Sequence, residues 1–200
     1  RRQRQMCIRD RINGVDIRKY NLESLRAQIG YVAQKAHMFK GSIQSNICFG
    51  KPEASVEEMV HAATVAQASD FISTREHGYE DEIAEDGTNI SGGQKQRLSI
   101  ARVILKKPSL YIYDDSFSAL DFKTDATLRK ALKPEVKNAI FFVVAQRIST
   151  IMDSDMIIVL DEGQIIGMGT HAQLLKDCSV YQEIAHSQLT QKELDDYERN

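Results

Sequence analysis

Asn89-Ile90-Ser91-Gly92-Gly93-Gln94 opens a stretch that runs on to Asp121 and decides the fold. It reads as a turn, a helix, a buried strand tipped by two acids, and a second tight turn. A helix N-terminus carries partial positive charge and N–H donors without intrahelical partners, which suit an anion. Ser91-Gly92-Gly93 can bring bare backbone up to such an anion, and the Ser91 hydroxyl adds a donor. Taken alone, Ser-Gly-Gly before a helix is more often a cap and a turn. Here the helix runs to about Lys107 and stops at Pro108. It returns directly to the strand Leu110-Tyr111-Ile112-Tyr113, whose end carries Asp114, an acid able to hold a magnesium ion. Lys106-Lys107 suits the helix dipole and reads as a solvated helix end. Ser118-Ala119-Leu120-Asp121 then makes the second turn, with Asp121 placed to cap the next helix.

Upstream of this stretch, Asn13-Gly14 signals a tight turn, Leu22 to Gln28 a short helix, and Ile29 to Ala33 a buried strand that delivers Gln34. Val56, Met59, Val60, Ala63 and Ala66 recur at helical spacing behind a Ser55/Glu58 capping box. A further short helix is expected over Ser69 to Arg75. Downstream, Phe122 to Leu132 reads as a helix stopped near Pro134. Residues 139–144 are apolar throughout, as expected of a strand covered on both faces. Arg147 to Met152 begins a helix. Met156 to Leu160 and Gln164 to Ile166 form a hairpin around Asp161-Glu162-Gly163, and Thr170/Gln173 make another capping box.

The chain has 200 residues, 42% hydrophobic and 27% charged, with a formal net charge of -2. That length suits one domain, or one domain with a small subdomain. The charge gives no basic footprint for nucleic acid. The longest apolar run, Ala139 to Ala145, is far too short to span a bilayer. Cys7, Cys48 and Cys178 show no disulfide or metal spacing and read as small hydrophobes. Residues 1–11 do not follow the pattern of the rest. Met6 to Arg11 can be encoded by a string resembling a sequencing-library transposon adapter, so this segment is expected to be non-native. The tail 189–200 is charged.

An acid at the end of an apolar strand holds the metal in P-loop NTPases. Gln34, the run Ile90 to Arg97, Asp114-Asp115 and Ser118 to Asp121 stand in the order and spacing of the nucleotide-binding domains of ATP-binding cassette (ABC) transporters. Val144 to Thr150 extends the match, and the resemblance covers about residues 12–188. It implies an α/β P-loop NTPase core with a mostly parallel sheet and an inserted α-helical subdomain, at about residues 52–106. It further implies ATP and Mg²⁺ as ligands. Ser91, Gly92, Gly93 and Gln94 would be the signature motif that contacts the γ-phosphate of ATP held by a partner domain. Gln34 would link Mg²⁺ and the attacking water to the membrane domain, Asp114 would hold the metal, and Asp121 would lie at the dimer interface. Asp81 to Gly87 resembles the exporter loop that touches the coupling helices, with Glu85 at its acidic position.

Three departures from the family pattern sharpen that reading. No G-x-x-x-x-G-K-[ST] occurs, so the phosphate loop, its Lys and an adenine-stacking aromatic are expected upstream of residue 12. The chain then reads as a fragment that binds ATP poorly alone. Asp115 stands where active members place a catalytic Glu; it is one methylene shorter, and a misplacement of ~1 Å can cost roughly a hundredfold in rate. Gln146 stands where the family has its switch His, and a carboxamide cannot carry a proton or a positive charge. The combination resembles the degenerate-site subunit of heterodimeric bacterial multidrug-type exporters. It implies a second half-transporter as partner, a transmembrane domain upstream, an exported small molecule, and a place at the cytoplasmic face of the membrane. Two alternatives stay open. One is an SMC- or DNA-repair-type ATPase, disfavoured because only Lys35 to Ile90 separate Gln34 from the signature, without sustained heptads. The other is a non-hydrolytic regulatory subunit.

Overall fold

The computed structural model describes residues 11–12 and 14–189. The expectations for residues 1–10 and for the tail from residue 190, and the Asn13 half of the expected turn, lie outside them. The chain divides between Phe142 and Val143 into two compact units.

The first unit opens with β1 (Arg11–Ile12) and β2 (Val15–Asp16), an antiparallel pair turned at Gly14, whose φ is +77°. Helix α1 (Leu22–Ala27) follows; the Asn21 side chain caps it by accepting from the Glu23 and Ser24 amides. Strand β3 (Ile29–Val32) comes next. Then β4 (Gly41–Ser42) leads into α2 (Ile43–Cys48), a helix the sequence pattern did not announce. Helices α3 (Val56–Val65) and α4 (Ser69–Ser73), strand β5 (Glu82–Ile83) and the long helix α5 (Gly92–Lys106) complete the middle of the unit. Strand β6 (Leu110–Asp114) and helix α6 (Phe122–Glu135) follow, and strand β7 (Ile140–Val144) carries the chain across the division.

The sheet runs in the order β3-β6-β7. Strands β3 and β6 are parallel, in register from Ile29 beside Leu110 to Val32 beside Tyr113. The close approach of α5 to this sheet depends on Gly30: a Cβ there would lie 2.5 Å from Val103 Cγ1 and 2.6 Å from Pro108 Cγ. Leu98, Ile100, Ala101, Ile104 and Leu105 of α5 are all buried, because the helix packs on α2 and α3 as well as on β3. The sheet side carrying Tyr111 and Tyr113 is closed by an aromatic cluster with Phe117 and Phe141.

Several local expectations are corrected. In α3, Met59, Ala62, Ala63 and Val65 are buried while Val56 and Val60 are exposed, so the inward face is rotated from the expected one. Small alanines let α5 press against that side. Lys106 is not a solvated helix end: its Nζ donates to the Arg26 and Ile29 carbonyls at 2.6 and 2.7 Å. Lys107 is the exposed one, taking a left-handed C-cap conformation. Helix α6 runs three residues past Leu132 and ends just after Pro134, at Glu135; the proline lacks the N–H and crowds the preceding turn, which suits the end of a helix and not its continuation. Strand β7 is apolar but covered on one side only, with Ile140 66% and Phe142 49% exposed.

The second unit contains α7 (Ile148–Ile151), the hairpin β8 (Ile157–Asp161) and β9 (Gln164–Gly169), α8 (His171–Asp177) and α9 (Ser179–Gln188). Glu162 and Gly163, both at positive φ, make the hairpin turn, as their turn chemistry predicts. The expected Thr170/Gln173 capping box starts α8. Ile157 and Val159 pack with Ile148, Leu174, Cys178, Tyr181 and Ala185, and Ile158 and Leu160 face outward.

Candidate functional site

The parallel register brings the C-terminal ends of β3 and β6 side by side, the place where open α/β sheets bind ligands. Gln34 follows β3 and Asp114 ends β6, and the two ends are joined by side chains. Gln34 Nε2 donates to Asp115 Oδ2 at 3.2 Å. The Tyr31 hydroxyl donates to Asp114 Oδ2 at 2.9 Å, and the carboxylate beside it pushes the Tyr31 phenol up. Gln34, Asp114 and Asp115 are therefore brought together at the ends of the two strands.

The turn after β6 is tightly held. Asp115 adopts φ 45°. Its carbonyl accepts from the Ser118 hydroxyl at 2.7 Å, and the buried Ser116 hydroxyl donates to the Val32 carbonyl at 3.1 Å. Left-handed backbone is open to an aspartate, whose short polar side chain lowers the cost, and here the neighbouring bonds hold it. These bonds fix the direction in which the Asp115 carboxylate leaves the strand.

Ser91 is the N-cap of α5. Its Oγ accepts from the Gln94 amide at 3.3 Å, and Gln94 Oε1 accepts from the Ser91 amide at 3.0 Å. This reciprocal pair uses the Ser91 and Gln94 amides and leaves those of Gly92 and Gly93, at the first turn, without intrahelical acceptors. A Cβ on Gly92 would meet nothing, while one on Gly93 would lie 3.3 Å from the Ala119 carbonyl. The glycine turn thus abuts the Ser118–Asp121 turn. Asp121 caps α6, accepting from the Thr124 amide at 3.0 Å, and that bond holds its carboxyl below the usual range.

Gln146 belongs to the second unit. Its carbonyl accepts from Gln188 Nε2 at 2.9 Å, and Gln188 Oε1 accepts from the Ile148 amide at 2.8 Å. The α9 amide side chain therefore splints the segment that carries Gln146.

Mg²⁺ takes oxygen ligands and is usually bound by one or two carboxylates together with phosphates and waters. The Asp114 and Asp115 carboxylates and the Gln34 carboxamide oxygen are donors of that kind, so the residues fit the ion. Among the described residues no group of three or more His, Cys, Asp or Glu forms a closed cage, and a nucleotide-borne Mg²⁺ needs none.

Sequence reasoning missed several residues around the site. Tyr31 reaches Asp114 only through the strand register. Arg102 is largely buried, donates to the Asn46 carbonyl at 2.8 Å, and lies over the rings of Phe39 and Phe49, at 5.3 and 5.7 Å from their centroids. Phe39 and Phe49, 4.5 Å apart, remain half exposed or more. Arg97 donates to the Gln67 carbonyl at 2.7 Å and lies over Phe71. The Phe39 and Phe49 spacing has no helical or strand period, so no local signal could have found the pair.

A parallel sheet with an acid-tipped strand, a glycine turn opening a long helix and intervening short helices is an α/β P-loop ATPase of the ABC type. The family model for ABC transporters matches residues 3–118, more than half of the chain, and the chain belongs to that family. It is an ABC transporter ATP-binding domain related to bacterial ABC exporters. An ABC transporter ATP-binding protein of Mycobacterium tuberculosis (strain ATCC 25618 / H37Rv) is 43% identical over 180 residues, 88% of this chain and 31% of that protein. The ATP-binding/permease protein YgaD of Bacillus subtilis (strain 168), whose name assigns it provisionally to multidrug export, is 45% identical over 173 residues, 86% of this chain and 30% of that protein. The ATP-bound structure of a bacterial Atm1-family ABC exporter superposes with a TM-score of 0.86 at 37% identity, over 88% of this chain and 31% of that one. The chain spans about a third of the length of these relatives.

Proposed function

We propose that this chain is the ATP-binding domain of one subunit of a heterodimeric ABC exporter, and that its own nucleotide site is the slow one. The observation that carries the asymmetry is in the sequence: Asp115 and Gln146 stand where the family pattern has Glu and His, while the Ser91 to Gln94 run is intact. Bound Mg²⁺ would supply positive charge against the phosphates. Asp114 and Gln34 would hold it. Asp115, short by one methylene and already accepting from Gln34, polarises water poorly. Gln146 can donate a hydrogen bond to a γ-phosphate oxygen but cannot supply positive charge.

The glycine turn has another role in this reading. The Gly92 and Gly93 amides and the Ser91 hydroxyl close over the ATP of the partner subunit, whose site is competent. Asp121, on the turn that abuts Gly93, sits at the seam. The exposed Phe39–Phe49 pair, stiffened by Arg102, and the acidic loop containing Glu85 support docking of a transmembrane domain on this side of the first unit. That transmembrane domain is proposed upstream, as the family resemblance implies; among the described residues themselves no helix is long and apolar enough to cross a membrane. The assembly would then sit at the cytoplasmic face of a membrane and export a small molecule. The short helices α2 to α4 between Gln34 and Ser91 support a transporter over an SMC-type ATPase, which needs a long coiled coil there.

The test is made on the purified full-length heterodimer. Asp115→Glu is expected to change total ATPase activity by no more than about threefold. Removing the partner's catalytic carboxylate is expected to abolish it. Equal losses from disabling either site would overturn the asymmetry.

A further inference from the structure

The segment between the acidic loop and the glycine turn is held by a set of bonds that neither motif accounts for. Asn89 uses both ends of its carboxamide on the loop before it: Oδ1 accepts from the Ala84 amide at 2.9 Å, and Nδ2 donates to the Glu82 carbonyl at 2.8 Å. From the other side, Lys95, on the first turn of α5, donates from Nζ to the Asp86 carbonyl at 2.8 Å. Asp86 and Gly87 both have left-handed backbone, with φ of 55° and 66°. Gly87 is buried, and a Cβ there would lie 2.9 Å from Lys95 Cε and 3.2 Å from Met38 Cγ. The Ile90 amide donates to the Gly87 carbonyl at 3.1 Å.

The loop is therefore tied at its start by Asn89 and at its apex by Lys95. Both tethers end on the turn and first helical turn that carry Ser91, Gly92 and Gly93. Neither tether touches the groups that face a phosphate: Ser91 Oγ and Gln94 are occupied with one another. A side chain that only capped α5 would have no reason to reach Glu82.

We propose that Asn89 and Lys95 are positioning residues that strap the Glu82–Gly87 loop to the Ser91–Gly93 turn, so that the two move as one rigid piece. A displacement of the loop is then delivered to the phosphate-facing amides, and closure of those amides on ATP is delivered back to the loop. Without the strap, the loop loses the bonds that hold its start and its apex, relaxes and absorbs the motion. The inference rests on the proposed ATP site only for what drives the motion. The strap itself stands on the bonds.

Hydrogen–deuterium exchange on the full-length heterodimer tests it, with MgATP as the probe, comparing the unsubstituted protein with Asn89→Ala, Lys95→Met and Lys95→Arg. In the unsubstituted protein MgATP is expected to slow exchange at residues 91–94 and at residues 82–88 together. In Asn89→Ala and Lys95→Met the loop is expected to exchange at least about fivefold faster without nucleotide, consistent with loss of one hydrogen bond. MgATP then protects residues 91–94 alone. Lys95→Arg, which keeps a donor, restores the joint response. The proposal is overturned if the loop responds to MgATP equally without either side chain, or if both segments lose protection together, which would mark a merely structural role in α5. If the unsubstituted protein shows no protection at 91–94, the ATP-site reading fails instead, and the nucleotide-free exchange rates still decide the strap.

Discussion

Tyr113 lies one residue before Asp114, and its hydroxyl is the least comfortable group in the first unit. The side chain is fully buried against Tyr111, Phe117 and Phe141, and its Oη has no hydrogen-bond partner among the described residues. Burial pushes its phenol far above the ordinary value. A buried hydroxyl without a partner costs roughly 1–3 kcal/mol in desolvation. Tyr113→Phe is therefore expected to stabilise the unit by about 1 kcal/mol, read as a higher denaturation midpoint at unchanged slope; a loss of stability would show that the oxygen is bonded. In the second unit, His171 is buried with Nδ1 2.7 Å from the Tyr181 hydroxyl. Burial lowers its pKa below 6.5, with Asp153 opposing. The folded unit thus prefers neutral imidazole, and the unfolded chain binds the proton more readily. Its contribution to stability is complete above the unfolded value and is lost as pH falls through the depressed folded value. Urea midpoints measured down from pH 7.5 are expected to fall in that window, and the fall is expected to shrink in His171→Gln.

Helix α5 is the element on which the candidate site is built, since its N-terminus carries the glycine turn and its flank supports β3. That packing is possible only because position 30 has no side chain. Gly30→Ala would place a methyl within 2.6 Å of Val103 and Pro108, where the proline ring cannot yield as a flexible side chain would. Overpacking of this kind costs about 1–3 kcal/mol. The expected result is a lower melting temperature together with faster amide exchange in β3, where Gln34 is launched; an unchanged melting temperature would mean that α5 and β3 separate freely. The caps of α3, α5 and α8 follow one pattern, Ser or Thr answered three residues later by Glu or Gln. In α3 and α8 that pair only starts a helix, whereas in α5 it also leaves two glycine amides without intrahelical acceptors. The same local chemistry serves different ends according to what the turn faces.

At the scale of the whole molecule, each unit carries large apolar side chains that are exposed. The first unit exposes Tyr31, Ile140 and Phe142 along its sheet, and the second exposes Ile158, Leu160, Ile165 and Met168 on its hairpin. Contiguous patches of this kind mark surfaces that pack against something else. The chain expressed by itself is expected to self-associate and to bind a hydrophobic dye, with light scattering and dye fluorescence as the measures. A monodisperse, dye-silent monomer would refute this. Because β7 reads as apolar throughout, its pattern promised cover on both faces, and only the folded sheet separates Phe141, packed in the aromatic cluster, from Ile140 and Phe142.

The local chemistry of the candidate site was legible in the chain. Ser91-Gly92-Gly93-Gln94, the acid-tipped strand at Asp114, the capping boxes and the hairpin turn at Glu162-Gly163 each depend on neighbours within a few residues, so adjacency in sequence suffices to specify them. What required the tertiary structure was everything joined across long separations. The parallel register of β3 and β6 brings Tyr31 to Asp114 and Gln34 to Asp115. The packing of α5 makes Lys106 a bound donor rather than a solvated end, and it sets which side of α3 is buried. Periodicity says that a helix has an apolar side, but which residues face inward depends on the partner's shape, and no short window of sequence contains the partner.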